Sequence, residues 1–256
     1  MQKTEMQKTG TQNTYERAEL FYKGKAKNLY HVKNHPELIW QEFRNSLTAF
    51  NAQKKGEFTG KGSINRDITS IIFRHLGRSL KTHWVADIGP TDMVTQRLEM
   101  LKLEVVIRNT LAGSTAKKLG LEEGTPLEKP LVEFYYKEDS LADPFISDDQ
   151  ALLLKTVRSQ AELDQLKTLG LKVNKELLQF FSEIGIKLID FKIEFGVNAS
   201  REIILADEIS PDSCRLWDQK TNEKMDKDRF RRDLGNVQET YELVREKILK
   251  HWGSKV

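Results

Sequence analysis

KLIDFKIEFG, residues 187–196, alternates apolar and charged side chains over most of its length. At the two-residue period of a β-strand, one face carries Ile189, Phe191, Ile193 and Phe195. The opposite face carries Asp190, Lys192 and Glu194. A half-buried strand needs polar side chains on its outer face, but it does not need acid, base and acid in succession. Either this face is solvated, or it binds a ligand.

The next apolar segment, EIILADEIS (202–210), predicts an antiparallel partner strand that is covered on both faces. If Val197 pairs near Glu202, Lys192 lies opposite Asp207, and Glu194 is a diagonal neighbour of Asp207 at about 7–8 Å between Cα atoms. Two carboxylates at that spacing can bind Mg²⁺ through oxygen, with phosphates completing the coordination. The alternative is a salt-bridge ladder on an exposed face, and spacing alone leaves both interpretations open.

The composition is that of a soluble protein with nearly balanced charge. The 256 residues are 38% hydrophobic and 31% charged, with a net charge of +3. The N-terminus has no apolar signal-peptide core, and no apolar run approaches the roughly 20 residues of a membrane span, so we expect a cytoplasmic protein with no membrane contact. The single cysteine, Cys214, can form neither an internal disulfide nor a cysteine metal site, and we expect it to be inert.

Strand and helix patterns are mixed along the chain and do not alternate strictly, which favours an α+β fold. Residues 1–15 are polar, contain MQKT twice and are predicted to be a disordered extension. Strands are predicted near 19–32 (as a hairpin), 37–43, 82–87, 103–109 and 131–136. Helices are predicted near 60–77, 113–120, 147–184, 225–232 and 236–251. Ser114 is the expected N-cap of the helix at 113–120.

The hairpin contains YKGKAK (22–27), in which Gly24 lies at the turn. Its exposed N–H groups, together with Lys25 and Lys27, can bind phosphates. The segment is not a Walker A loop, but it is similar to the glycine-rich hairpins that cover ATP in kinases. The alternative is a solvated hairpin with lysines along its edge.

Two arginines are candidates for anion binding. Arg108 ends the apolar strand in VVIRNTLAGS (105–114), where a Gly-Ser pair opens a helix, so Arg108 and the amides near Ser114 can bind a phosphate or a carboxylate. Arg215 follows the acidic strand in SPDSCRLWD (210–218), after a turn at Asp212. A charged strand end and an ordinary helix cap explain Arg108 and Ser114 equally well.

Seven segments occur in the order typical of one family: LFYKGKAKNLY, TAFNAQKKGEFTGKG, EVVIRNTLAGSTAKKLGLEEGT, VEFYYKEDSLADP, LIDFKIEFG, ILADEISPDSCRLWD and KMDKDRFRRDLG. From about residue 18 to the end, the chain resembles the phosphoribosylaminoimidazole-succinocarboxamide synthase (SAICAR synthetase) family. Each segment alone is a weak signal, whereas seven in order are specific.

The resemblance implies an ATP-dependent ligase of purine biosynthesis. ATP activates the carboxylate of carboxyaminoimidazole ribonucleotide (CAIR), and the amine of L-aspartate displaces the activated oxygen to give SAICAR, ADP and phosphate. The implied fold has two lobes, a β-rich N-terminal lobe (16–100) and a larger α+β C-terminal lobe (101–256), with ATP between them. Family resemblance also favours a homodimer.

The resemblance also implies roles for individual residues. ATP is expected at Gly24, Lys25, Ala26, Lys27, Lys137, Glu194 and Asp207, and Mg²⁺ at Glu194 and Asp207. CAIR is expected at Arg108, Ser114, Asp143, Asp212 and Arg215. Lys192 and Asp190 are expected to be catalytic, with Asp190 either contacting substrate or holding Lys192 in place. TAFNAQKKGEF (48–58) and Lys61 match a segment near aspartate and the nucleotide.

Two other functional classes share some of these features. A small-molecule kinase with a glycine-rich hairpin shares the two metal-binding acids, but the sequence has no H-R-D-x-x-x-x-N or D-F-G segment. A non-catalytic nucleotide- or RNA-binding protein would use the N-terminal lysines. The near-neutral charge and the acidic hairpin disfavour nucleic acid, because carboxylates repel its phosphate backbone.

Overall fold

The structure, a computed structural model, describes residues 15–49 and 53–256. The first part of the chain forms mostly strands: β1 (Arg17–Lys23), β2 (Lys27–Val32), β3 (His35–Phe43), β4 (Ser46–Ala49), β5 (Lys54–Glu57), helix α1 (Lys61–Leu76), β6 (Trp84–Asp87) and β7 (Asp92–Gln96). The predicted extension at 1–15 lies outside the described residues, apart from Tyr15. So do residues 50–52 of the predicted aspartate-side segment.

The second part mixes longer strands with helices. Its elements are β8 (Glu99–Thr110), α2 (Gly113–Leu119), β9 (Pro126–Tyr136), β10 (Phe145–Ile146), α3 (Asp148–Leu153), α4 (Gln160–Ser182), β11 (Ile186–Val197), β12 (Ile203–Ala206), β13 (Cys214–Asp218), α5 (Asp228–Arg231) and α6 (Val237–Trp252). The expectation of an α+β fold is confirmed.

Two antiparallel sheets form the framework of the molecule. The N-terminal sheet has the strand order β1-β2-β3-β7-β6, and β4 pairs with β5 as a separate ribbon. The C-terminal sheet has the order β10-β9-β8-β11-β12, with β13 also paired to β11. The apolar strand β8 is central, as its continuous run predicts, because β9 and β11 flank it.

The main core lies between the C-terminal sheet and helices α1, α4 and α6. Helix α4 packs on β8 and β11 through residues such as Leu166 and Val173, both fully buried. Helix α1 contributes Ile68 and Ile72 to this same core, although it precedes the C-terminal sheet in the chain. The predicted division at residue 100 falls within β8 and stays a prediction.

One edge of the long strand β11 is shared by two short strands. β12 pairs with residues 194–197 and β13 with residues 186–191, so the connection 207–213 crosses beside the middle of β11. Lys192 N–H donates to the Ser213 carbonyl at 2.8 Å in this gap. The chain therefore leaves the sheet beside Lys192, in the middle of the charged face of β11.

The predicted register of this hairpin is wrong by one residue. Val197 pairs with Ile203 and Glu194 with Ala206, so Asp207 does not continue the ladder opposite Lys192. The strand ends at Ala206, and Asp207 adopts a left-handed φ of 63°. Because that conformation breaks the alternation of a strand, Asp207 reaches the charged side of β11 without the predicted register.

Two helix predictions also need correction. The zone 147–184 is two helices, since α3 ends at Leu153 and α4 begins at Gln160 with Ser159 as its N-cap. Ser114 lies inside α2 and is not its N-cap, which is Ala112 with no side-chain hydrogen bond. Among the helices in 15–49 and 53–256, none is long and apolar enough to cross a membrane.

Candidate active site

A cleft of about 870 Å³ lies between the two sheets. Strands β2, β3 and β7 line it from the N-terminal sheet, and β8 and β11 line it from the C-terminal sheet. All of the predicted site residues line this one cleft: Gly24, Lys25, Ala26, Lys27, Arg108, Ser114, Lys137, Asp143, Asp190, Lys192, Glu194, Asp207, Asp212 and Arg215. Lys61 does not line the cleft. Its side chain is 1% exposed and contacts the cleft residue Asp212.

The glycine turn between β1 and β2 is braced by its own backbone and by the segment after β3. Gly24 N–H donates to the Lys27 carbonyl at 2.8 Å, and Arg44 Nη1 donates to the Gly24 carbonyl at 2.6 Å. The Ala26 carbonyl accepts from the Arg44 N–H at 2.8 Å. The turn carbonyls are thus engaged on one side, while Lys25 and Lys27 extend their ammonium groups into the cleft.

Lys27 and Asp207 form an ion pair across the cleft. Lys27 Nζ donates to Asp207 Oδ1 at 2.5 Å. Burial alone would raise the pKa of Asp207, but the charges of Lys27, Lys192 and Lys137 outweigh it and hold that pKa well below its usual range. Asp207 is therefore a carboxylate at neutral pH, and it faces three cations.

Lys192 lies between two acids of neighbouring strands. Its Nζ donates to Glu104 Oε1 at 2.6 Å and to Glu194 Oε1 at 2.9 Å, while Lys137 Nζ donates to the other oxygen of Glu194. Burial alone would lower the pKa of Lys192, but Glu194 and Glu104 raise it well above its usual value. Burial raises the pKa of Glu104. These two acids thus favour the ammonium form of Lys192.

The carboxylates of Glu194 and Asp207 provide the oxygen ligands that Mg²⁺ prefers. In the described parts of the chain, no three His, Cys, Asp or Glu side chains come together as a preformed metal site. Mg²⁺ is usually bound by one or two carboxylates together with substrate phosphates and water, so it would not require a third protein ligand beside Glu194 and Asp207. Each carboxylate is paired with lysine instead, so a metal-bound polyphosphate can exchange for those ammonium contacts.

Asp190 bridges two arginines. Its Oδ2 accepts from Arg108 Nη1 at 2.5 Å and from Arg215 Nη1 at 2.9 Å. Lys192 is held by other acids, so the expectation that Asp190 holds Lys192 in place is wrong. Burial alone would lower the pKa of Arg215, but Asp190 and Asp228 raise it above its ordinary range. Both arginines stay charged within this partly buried group.

Side chains of two helices, α1 and α6, hold Asp212 in place through hydrogen bonds. It accepts from Lys61 Nζ at 2.5 Å, from Asn65 Nδ2 at 3.1 Å and from Tyr241 O–H at 2.7 Å. Burial alone would raise its pKa, but Lys227 and Lys61 lower it below its usual range. Lys61 donates to Asp212, and its expected position near aspartate and the nucleotide stays a prediction.

The loop after β9 brings Lys137 and Asp143 to the cleft. Asp143 has a left-handed φ of 47°, and its Oδ1 accepts from the Glu138 N–H at 2.9 Å. Ser114 lines the cleft from the first turn of α2, next to Gly113. A Cβ on Gly113 would lie 2.7 Å from Arg215 Cζ, so this position brings the backbone directly against the guanidinium.

Several cleft residues were missed in the sequence: His83, Glu104, Lys227 and Arg231. Two signals could have found some of them. Glu104 interrupts an apolar run in the central strand β8, and the family segment KMDKDRFRRDLG contains two of the others four residues apart, the spacing of neighbours on a helix. Burial lowers the pKa of Lys227, and it lowers that of His83 to about 3, so this imidazole is neutral.

Comparisons with known proteins agree with this geometry. The family model described as SAICAR synthetase matches residues 20–248. Among the relatives named phosphoribosylaminoimidazole-succinocarboxamide synthase are those of Campylobacter fetus and Nautilia profundicola. That of Campylobacter fetus is 50% identical over 235 residues, covering 91% of this chain and 99% of the relative. That of Nautilia profundicola is 52% identical over 226 residues, covering 88% and 96%.

Solved structures give the same result. The synthase from Ehrlichia chaffeensis superposes with a TM-score of 0.87 at 40% identity, over 90% of this chain and 98% of that one. A SAICAR synthetase in complex with ADP gives 0.86 at 41% identity, over 90% and 98%. The match extends over nearly the whole of each relative and includes the strands and loops that line the cleft. The chain therefore belongs to the SAICAR synthetase family.

Proposed function

We propose that the cleft joins L-aspartate to the carboxylate of CAIR at the expense of ATP, forming SAICAR, ADP and phosphate in purine biosynthesis. One observation carries the assignment of the chemistry to this cleft. The lysine–carboxylate cluster around Glu194 and Asp207 and the arginine pair around Asp190 line the same cavity. A nucleotide and an anionic ribonucleotide can therefore bind side by side, as a ligase of this family requires.

The reaction proceeds in two steps. An oxygen of the CAIR carboxylate attacks the γ-phosphorus of ATP, the bond to the bridging oxygen breaks, and ADP leaves. The aspartate amine then attacks the activated carbonyl carbon, phosphate leaves with the oxygen, and the amine loses a proton as the amide forms. Phosphoryl transfer depends mainly on positioning and charge neutralisation, so the protein needs no nucleophile of its own.

The ATP side is formed by the glycine turn, with Gly24, Lys25, Ala26 and Lys27, and by Lys137. Lys27 is the most buried of these cations and already contacts a carboxylate at 2.5 Å. When polyphosphate binds, its oxygens replace carboxylate oxygens as the acceptors for these ammonium groups. A SAICAR synthetase with the same fold has been solved in complex with ADP, which supports nucleotide binding by this chain.

Mg²⁺ fits at Glu194 and Asp207. When bound there, it would neutralise the phosphates and act as a Lewis acid on the transferring group. The two side chains come from adjacent strands of one sheet, since Glu194 pairs with Ala206 and Asp207 follows directly. A site of two carboxylates is incomplete without phosphate oxygens, which couples metal binding to nucleotide binding.

The CAIR side is formed by Arg108, Ser114 and Arg215, with Asp212 and Asp143 nearby. The two guanidinium groups offer a fork geometry that matches phosphate or carboxylate. Asp212 is held rigidly by three donors, which suits an acceptor for ribose hydroxyl groups.

Lys192 and Asp190 lie between the two halves of the cleft, on the same face of β11. Lys192 stays protonated, so it neutralises the charge that develops on the reacting carboxylate and does not take a proton from aspartate. Asp190 contributes to catalysis through the arginines, since its carboxylate oxygens accept from both of them.

Incubation with CAIR, Mg-ATP and L-aspartate tests the assignment. We expect SAICAR and ADP in equal amounts, with formation dependent on all three substrates and on Mg²⁺. ADP release at an unchanged rate without aspartate would contradict the ligase and favour a kinase or an ATPase.

We also propose a homodimer that works in the cytoplasm. Exposed apolar side chains support self-association, among them Leu141, Phe145 and Leu153, which lie within one stretch of 13 residues and are 59%, 53% and 78% exposed. Light scattering coupled to size exclusion would show a mass near 59 kDa for the dimer, about twice the 29.6 kDa of one chain.

A further inference from the structure

Arg108 and Arg215 are held in the same way, although they come from different strands. Each arginine directs Nη1 at the shared Asp190. Each also directs Nε at a carboxylate of its own: Arg108 at Glu133 Oε2, 2.8 Å away, and Arg215 at Asp228 Oδ2, 3.0 Å away. In both guanidinium groups, Nε and Nη1 therefore donate to carboxylates, whereas Nη2 does not.

The Nη2 atoms have weaker protein contacts than the other nitrogens. Arg108 Nη2 lies 3.3 Å from the Tyr135 hydroxyl, longer than its contacts to Glu133 and Asp190. Arg215 Nη2 lies against the backbone of Gly113 at the start of α2. A guanidinium is planar, so two fixed nitrogens determine the direction of the third.

The two outer carboxylates are themselves held. Glu133 is 7% exposed and accepts from the Thr115 hydroxyl at 3.1 Å and from the Tyr135 hydroxyl at 3.0 Å. Asp228 is 1% exposed and accepts from Arg231 Nη1 at 2.6 Å. Neither carboxylate lines the cleft, so each acts on a ligand only through its arginine.

We propose that Glu133 and Asp228 are positioning residues for anion binding, which fix the Nε edges of Arg108 and Arg215 so that their remaining donors converge on one phosphate group. This inference rests on the proposed CAIR site and identifies the two carboxylates that orient its arginines. Flexible arginines would lose side-chain entropy on every binding event, whereas these two are already ordered by buried ion pairs. The 5′-phosphate of the ribonucleotide is the part of the substrate that should depend on them.

The test compares Glu133→Gln and Asp228→Asn with the parent protein. CAIR binding is measured by calorimetry, so the result does not depend on turnover, and steady-state constants are measured for CAIR and ATP. We expect the Kd and KM for CAIR to rise by about tenfold in each variant, with the KM for ATP changed by less than about twofold. Inorganic phosphate should compete with CAIR in the parent and compete about tenfold more weakly in the variants.

The dephosphorylated ribonucleoside of CAIR separates positioning from a general structural role. Its binding should change by less than about twofold in both variants, because it lacks the group that the arginines hold. Thr115→Val is a milder third variant, since it removes one donor from Glu133 and keeps the ion pair. It should weaken CAIR by about two- to fivefold in the same phosphate-dependent way.

Glu99→Gln is the control. Glu99 also pairs with an arginine, Arg201, at 2.8 Å, but neither residue lines the cleft. Its CAIR binding should equal that of the parent. The inference would be overturned if CAIR binding were unchanged in folded variants of Glu133 and Asp228, or if ribonucleotide and ribonucleoside lost affinity equally. If the parent protein bound CAIR normally but formed no SAICAR, only the proposed function would be contradicted.

Discussion

Lys27 and Asp207 are 180 residues apart and contact each other at 2.5 Å across the cleft. Lys27 begins β2 beside the glycine turn, and Asp207 directly follows β12. This ion pair joins the two sheets at the point where nucleotide phosphates are expected. The same two groups can bind phosphate and metal, so nucleotide binding exchanges one set of charge pairs for another without leaving either charge uncompensated.

Replacing a metal-binding acid should abolish most activity and leave the fold intact. Glu194→Gln and Asp207→Asn each remove a charged oxygen ligand, and the loss of transition-state stabilisation should reach several kcal/mol, or roughly a hundredfold or more in kcat. The measurement is the rate of SAICAR formation across a Mg²⁺ titration, with circular dichroism to verify folding. Near-parental rates at limiting Mg²⁺ would refute the metal assignment.

Arg108→Lys should weaken CAIR more than ATP. Arg108 donates to Glu133 through Nε and to Asp190 through Nη1, and a lysine ammonium cannot satisfy both acids and also keep a planar fork. We expect the KM for CAIR to rise by about tenfold or more while the KM for ATP changes by less than about twofold. Equal losses for the two substrates would mean that Arg108 has only a structural role.

Gly113→Ala should disturb the arginine site, whereas Gly120→Ala should not. Both glycines have left-handed φ angles, 61° and 63°, so both alanines bear a similar backbone strain of about 1 kcal/mol. An added Cβ at Gly113 would lie 2.7 Å from Arg215 Cζ, while at Gly120 it would meet nothing within 4 Å.

The two variants should therefore lose similar stability from strain, but only Gly113→Ala should lose CAIR affinity. Thermal unfolding and CAIR titration on both proteins check this expectation. If Gly120→Ala weakened CAIR as much as Gly113→Ala does, the effect would belong to helix α2 as a whole and not to Arg215.

Asp226 should make stability depend on pH. Burial, followed by the nearby charge of Asp228, raises the pKa of Asp226 to about 7 from an ordinary value of 3.8. Between these values the folded state binds the proton more tightly than the unfolded state, so the free energy of unfolding falls as pH rises. The slope for one group is at most about 1.4 kcal/mol per pH unit. The lowered pKa of Asp228 acts below this window.

Urea unfolding of the parent and of Asp226→Asn at pH 5, 6 and 7 measures this term. The asparagine does not titrate, so the stability of the variant relative to the parent should improve as pH rises through this range. The variant keeps one acceptor for the two backbone N–H groups, of Leu216 and Asp228, that donate to Asp226, so a constant loss at all pH values is also expected. Parallel pH curves would show that Asp226 does not titrate in this range.

Local patterns predicted most of the strands and helices because each depends on neighbours in sequence. The alternation in 187–196 correctly indicated one apolar and one charged face of β11, and the apolar run near Val105 correctly indicated a central strand. The break between α3 and α4 was missed because residues 154–159, LKTVRS, contain no glycine or proline that would mark it. Strands β4, β5, β7, β10 and β13 were missed because each has five residues or fewer, too few to show a clear alternation.

The sequence by itself determined that Asp190, Lys192 and Glu194 share one face of a strand, since a period of two leaves no other choice. Its seven ordered segments also determined the family. Only the tertiary structure decided which charges meet. A left-handed residue at the end of β12 brings Asp207 to Lys27, and three strands converge so that Asp190 contacts two arginines rather than Lys192. These pairings join residues far apart in the chain, so no local period encodes them, and burial in the assembled cleft determines which charges are compensated.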